Sequence, residues 1–255
     1  MNLLKSMIIS FSMYSVIPMP RIDWDKDGMK YIFLFFPLVG LAIGGLSYGW
    51  LIFSAMQGIH SVLAGVILAV LPVVLSGGIH LDGLIDTCDA FFSYGDREKK
   101  LEILKDPRTG AFGVMGCAVY LLLSLGFYCQ LIQSPGYAVL LVLIFFISRS
   151  LGVIALLTVR KAKSTGLGST FAAAADNKLN LAVNILYLAA AFLVISFVNL
   201  IFAIVFAVLL AVYFLCCVSS IRKNFGGITG DLTGCFILLA ELLMLLITAI
   251  GGSIC

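Results

Sequence analysis

A chain of 255 residues that is 62% hydrophobic and only 11% charged, with a formal net charge of +3, lies far from the composition of a soluble domain, where about half the residues are apolar and about a quarter charged. Such a balance excludes a soluble enzyme and leaves an integral membrane protein, with no nucleic-acid partner expected. The seven cysteines are scattered through apolar segments with no C-x-x-C pair, so they read as small apolar residues and not as a disulfide or zinc framework.

Along the chain, MNLLKSMIISFSMYSVIPMP carries one Lys and a short apolar run with no small-residue cleavage pattern after it, and is expected to be a retained interfacial or half-inserted segment. Continuous apolar length then predicts spans near 31–56, 61–79, 111–132, 137–158, 181–198, 200–220 and 232–250. The run from Leu181 to Ser220 is too long for one helix of ordinary tilt and is split at Asn199; without that split there are six spans. Of the sixteen basic residues, all but Arg149 fall before the first span or in the loops after the second, fourth and sixth. The alternate loops carry none, which by the positive-inside rule puts the N-terminus in the cytoplasm and the C-terminus outside. The expected fold is all-α: a polytopic membrane helix bundle forming one domain over 1–255, in the cell membrane, with its polar loops on the cytoplasmic face.

One of those loops is acidic where it leaves the second span. In HLDGLIDTCD, after Gly77 and Gly78, Asp82, Asp86 and Asp89 are spaced i, i+4, i+7, which puts three carboxylates on one helical face opposite Leu84, Cys88 and Phe91. Like charges at this spacing cost about 0.2–0.5 kcal/mol per pair on an exposed helix and more where water is scarce. A cation is therefore expected against them, and Mg2+ is the economical one, since it takes one or two carboxylates with waters and substrate phosphates; the bland alternative is a solvated acidic face. Gly95 is expected to end the helix before Asp96.

The loop continues as KDPRTGAFG. Lys105 and Arg108 supply cations, Asp106 a further carboxylate, and Gly110 and Gly113 open the backbone to a ligand at the N-terminus of the next span. This combination suits a pyrophosphate and the charge that develops in phosphoryl transfer. In the last basic loop, Gly226, Gly227, Thr229, Gly230 and Asp231 form a second glycine-rich element on the same side. Arg149, inside the fourth span, is either a helix-packing ion pair or a phosphate ligand, and Glu241 in the seventh is its candidate partner or a neutral packing residue. Asp106 is the first candidate for general base and His80 the second.

The elements GGIHLDGLIDTCD, KDPRTGAFG and GGITGD, in this order between membrane spans, closely resemble the cobalamin synthase family, the adenosylcobinamide-GDP ribazoletransferases, over nearly the whole chain. Family patterns read GGLHLDGLADTxDG, KDSRxGAFG and GGxTGD; this chain departs with Ala90 for Gly and with Pro107 for Ser, which removes an N–H and a hydroxyl. The resemblance implies a late step of cobalamin biosynthesis: the 3′-hydroxyl of α-ribazole, or of its 5′-phosphate, attacks the cobinamide-side phosphorus of adenosylcobinamide-GDP and GMP leaves. It also implies Mg2+, with membrane lipid and other cobalamin-pathway proteins as possible partners. DTCD is in addition similar to the opening of the CDP-alcohol phosphotransferase pattern, whose remainder is not matched. That enzyme class and a cation transporter are the alternatives.

Overall fold

The structure, a computed structural model, describes residues 2–162 and 175–254. Its elements are helices: α1 (Asn2–Tyr14), α2 (Lys26–Met29), α3 (Ile32–Met56), α4 (Ser61–Leu75), α5 (Ile79–Phe92), α6 (Arg97–Ile103), α7 (Ala111–Gln133), a 3-10 turn (Pro135–Leu140) leading into α8 (Leu141–Thr158), α9 (Asn177–Val198), α10 (Leu200–Phe225) and α11 (Gly230–Ile254). Among the described residues the only extended pairing is a single bridge between Lys161 and Ile228. Among the described residues six helices are long and apolar enough to cross a membrane, and seven if the bent pair α4 and α5 is counted as one span.

That pair departs from the expected second span. α4 ends at Leu75, so its 15 residues rise roughly 22 Å, short of a hydrocarbon core of roughly 30 Å. Gly77 and Gly78 then take left-handed conformations, at φ 65° and 75°, and turn the chain through 94°. The acidic helix α5 is therefore no continuation of α4; it runs across its axis, packed on α11 and α7. The predicted break at Asn199 is present: its side chain accepts from the Phe202 amide at 3.0 Å to cap α10, and donates to the Tyr137 hydroxyl at 3.1 Å.

Contacts sort the helix ends into two layers. In one, Asp89 on α5 meets Gly110 and Gly113 at the start of α7, Ile228 before α11 bonds Arg160 after α8 at 2.8 Å, and Asp176 before α9 bonds the Lys30 carbonyl before α3 at 3.0 Å. In the other, Asn199 meets Tyr137, and a Cβ at Gly252 would lie 2.5 Å from the Ser134 carbonyl. This alternation is the one that the basic residues foretell, with α4 carrying the chain back between α3 and α7.

The core is built on small-residue crossings, which let helix backbones touch where no hydrophobic effect drives association. A Cβ at Gly40 on α3 would collide with the Phe145 carbonyl of α8, and one at Gly44 would lie 2.6 Å from that of Val142. The N-terminal segment forms α1, held against the α2 turn by Lys5–Asp25 at 2.8 Å and by the Ser6 hydroxyl donating to the Gly28 carbonyl at 2.6 Å. The described cysteines are free thiols.

Candidate active site at one end of the bundle

The site grows from a crossing of two helices. A Cβ at Gly83 on α5 would stand 2.7 Å from the Asp231 carbonyl, and one at Gly234 on α11 would stand 3.3 Å from the His80 Cα. With glycine at both positions the two backbones meet, which sets Asp231, in the first turn of α11, beside Asp82 and Asp86. Asp82 is exposed and Asp86 and Asp231 half-buried. Burial, reinforced by Asp82, Asp231 and Asp89, pushes the Asp86 carboxyl up to about 6. The sequence assigns Asp231 to a phosphate loop; the structure adds it to the acids, and the signal for this was a lone Asp opening the last span after T-G.

The third acid of the stripe has another use. Asp89 is 8% exposed, and its two oxygens accept from the Gly110 amide at 2.7 Å and the Gly113 amide at 2.8 Å. A Cβ at Gly110 would lie 2.5 Å from one of these oxygens, and a Cβ at Gly113 2.5 Å from the other. The anion site anticipated at the start of α7 thus holds a carboxylate of the chain itself, and both glycines make room for Asp89. Where the sequence expects Asp89 as a metal ligand and Gly110 and Gly113 as phosphate contacts, the structure pairs the three residues with one another.

The two base candidates also change. Arg108 grips Asp106 through Nε at 2.9 Å, a terminal nitrogen at 2.7 Å and its own backbone amide at 3.0 Å. These bonds hold the Asp106 carboxyl down at about 2, too acidic to take a proton readily near neutrality. His80 is 5% exposed, near-parallel to the Tyr14 ring at 6.4 Å and edge-on to the Phe36 ring at 5.8 Å, and its Nε2 has no partner among the described residues. Burial, with the Arg149 charge second, pulls its imidazole down to about 3. It is a neutral packing residue behind the site.

Arg149 is 1% exposed and pairs with Glu241, whose carboxylate also accepts from the Ser148 hydroxyl at 2.8 Å, the arrangement of the helix-packing ion pair. In the glycine-rich loop, Gly226 is the left-handed C-cap of α10 at φ 76°, and a Cβ at Gly227 would collide with the Arg160 carbonyl. Thr229 accepts from the Leu232 amide at 3.2 Å, capping α11. Gly230 is open, with nothing within 4 Å of its Cβ direction. Gly226, Gly227 and Thr229 are therefore explained by folding contacts, while Gly230 stands open next to the half-buried Asp231. Lys105 and Arg108 lie exposed on the loop before α7, the Arg108 side chain 87% so.

Among the described residues no three His, Cys, Asp or Glu side chains enclose a metal position by themselves. A cation placed at Asp82, Asp86 and Asp231 would have to draw most of its ligands from water and substrate oxygens, a manner of binding that suits Mg2+. Burial lifts Asp86 first, and such a cation would relieve the further contribution from Asp82, Asp231 and Asp89.

Fold and site together define a polytopic membrane protein with a carboxylate-lined site at one end of its helix bundle. The family described as cobalamin-5-phosphate synthase matches residues 6–249, and the chain belongs to that family. It is 35% identical over 254 residues to the adenosylcobinamide-GDP ribazoletransferase of Lachnoclostridium phytofermentans, covering 100% of this chain and 97% of the relative. Relatives of the same name from Clostridium botulinum and Clostridioides difficile are each 34% identical, over 244 and 256 residues, covering 94% and 95% of this chain and 95% and 96% of theirs. No solved structure matches.

Proposed function

We propose that this chain is an adenosylcobinamide-GDP ribazoletransferase of cobalamin biosynthesis. The observation that carries the reading, beyond family membership, is the gathering of Asp82, Asp86 and Asp231 where α5 crosses α11, with Asp86 pushed up to about 6. The 3′-hydroxyl of α-ribazole or its 5′-phosphate attacks the cobinamide-side phosphorus of adenosylcobinamide-GDP, the phosphoanhydride bond breaks, and GMP leaves, with the hydroxyl proton passing to the departing phosphate or to water. Asp82, Asp86 and Asp231 would hold Mg2+, with water and substrate oxygens completing its ligands, and it would supply neutralisation of pyrophosphate charge. Arg108, oriented by Asp106, and Lys105 meet the remaining phosphate oxygens from the exposed loop before α7. Phosphoryl transfer rests mainly on positioning and charge stabilisation, so the occupied Asp106 and the buried His80 are no obstacle to it.

The basic end of the bundle faces the cytoplasm and the protein resides in the cell membrane, a reading supported by the Lys and Arg bias. Charged groups lie at one end of the bundle, while the mid-span charges Arg149 and Glu241 are spent on each other, so a transport site near the midplane finds no support. The test is GMP release from adenosylcobinamide-GDP and α-ribazole by purified protein in detergent, with and without EDTA. Asp82→Asn and Asp86→Asn each lower turnover on the order of 100-fold. Wild-type turnover in either variant, or full activity in EDTA, would overturn the assignment.

A further inference from the structure

The back of the acidic helix is left unfilled. Leu84, Thr87, Cys88, Phe91 and Phe92 of α5 lie on the face away from Asp82 and Asp86, and line an apolar slot with residues of α10 and α11. Along α10 the slot runs from Phe225 to Cys217, eight residues or roughly 12 Å of helix, and it reaches Leu239 on α11. Phe92 and Leu239 at its mouth are partly exposed, and α10 and α11 are both spans, so the slot opens toward the bilayer.

A charged cup adjoins its upper end. The cup is lined by Gly95, Asp96, Arg97, Glu98, Lys100, Lys223 and Asn224. Its wall is shared with the slot: Lys100 Nζ donates to the Phe91 carbonyl at 3.0 Å and to the Asn224 side chain at 3.3 Å, and Asn224 Nδ2 bonds the Ser220 carbonyl one turn down, at 3.0 Å. Ser220 and Phe91 line the slot. Asp96, which caps α6 by accepting from the Lys99 amide, and Glu98 are outnumbered in the cup by Arg97, Lys100 and Lys223. A cationic cup over an apolar slot, at the end of membrane spans, has the chemistry of one amphiphile: an acyl chain below and an anionic head above.

We propose that the α5–α10–α11 slot is a site for an anionic phospholipid, its chain on the back of α5 and its phosphate at Arg97, Lys100 and Lys223. The lipid braces the helix whose opposite face carries Asp82 and Asp86. This assignment is independent of the reaction, because none of its lining residues belongs to the acid cluster.

The test is native mass spectrometry of the full-length protein purified in detergent and titrated with phosphatidylglycerol or phosphatidylcholine. The wild type retains one phosphatidylglycerol at least tenfold more tightly than phosphatidylcholine. Ser220→Trp, which fills the slot, loses that retention at least tenfold, and Lys223→Glu removes the preference between the two lipids. Leu239→Trp fills the slot from its other wall and repeats the loss if Ser220→Trp does not fold. Equal retention of both lipids by the wild type, or undiminished retention in a folded slot-filling variant, overturns the proposal.

Discussion

Asp89→Asn separates the two roles open to the third acid of α5. In the structure the Asp89 carboxylate accepts two backbone amides, from Gly110 at 2.7 Å and Gly113 at 2.8 Å, at the N-terminus of α7. Hydrogen bonds to a charged group contribute about 1.5–3 kcal/mol each, so the clasp contributes about 3–6 kcal/mol. Asparagine keeps one acceptor, loses the charge and turns an NH2 toward the other amide, so roughly half to all of that is lost. On the scaling for chains of 150–250 residues, a loss of 3 kcal/mol lowers the melting temperature by roughly 6–12 °C. The assay is thermal unfolding in detergent followed by intrinsic fluorescence, beside a Mg2+ titration of GMP release at a temperature where both proteins are folded. A clasp predicts a lower melting temperature with an unchanged half-saturating Mg2+ concentration. A variant that melts with the wild type but needs several-fold more Mg2+ would refute the reasoning and return Asp89 to the ligand set.

Three further outcomes follow from other contacts. Glu241→Gln leaves Arg149 charged and buried, and should destabilise by about 3–5 kcal/mol in the same unfolding assay, whereas replacing both partners with Met and Leu should recover most of that loss. Asp86 is pushed up to about 6, so between roughly pH 4 and 6 the folded state holds a proton that the unfolded state has released. The protein in EDTA should therefore melt higher at pH 5 than at pH 7, and Asp86→Asn should flatten that dependence; a melting temperature that rises with pH across this window in the wild type alone contradicts the burial of the group. Gly83→Leu forces a side chain into the Asp231 backbone and should lower GMP release on the order of 100-fold by parting Asp231 from Asp82 and Asp86, a loss that wild-type turnover in the folded variant would disprove.

Much of the bundle could be read without the structure, because span length, the break at Asn199 and the alternation of basic loops depend on composition and on position along the chain. The face shared by Asp82, Asp86 and Asp89 was equally accessible, since it depends only on the 3.6-residue period of one helix. What that period cannot say is which group each carboxylate meets. Asp89 and Gly110 are 21 residues apart, Gly83 and Asp231 far more, and their meetings depend on how separate helix ends pack. A glycine chosen to approach a phosphate and one chosen to approach a carboxylate look alike in a sequence, as do a positively charged side chain awaiting substrate and one buried against Glu241. The sequence alone determined an all-helical membrane bundle with acid and base at one end, because hydropathy and helical period are local. The tertiary structure decided that Asp231 joins Asp82 and Asp86 while Asp89 holds α7, because the use of a charge is settled by the nearest group in space.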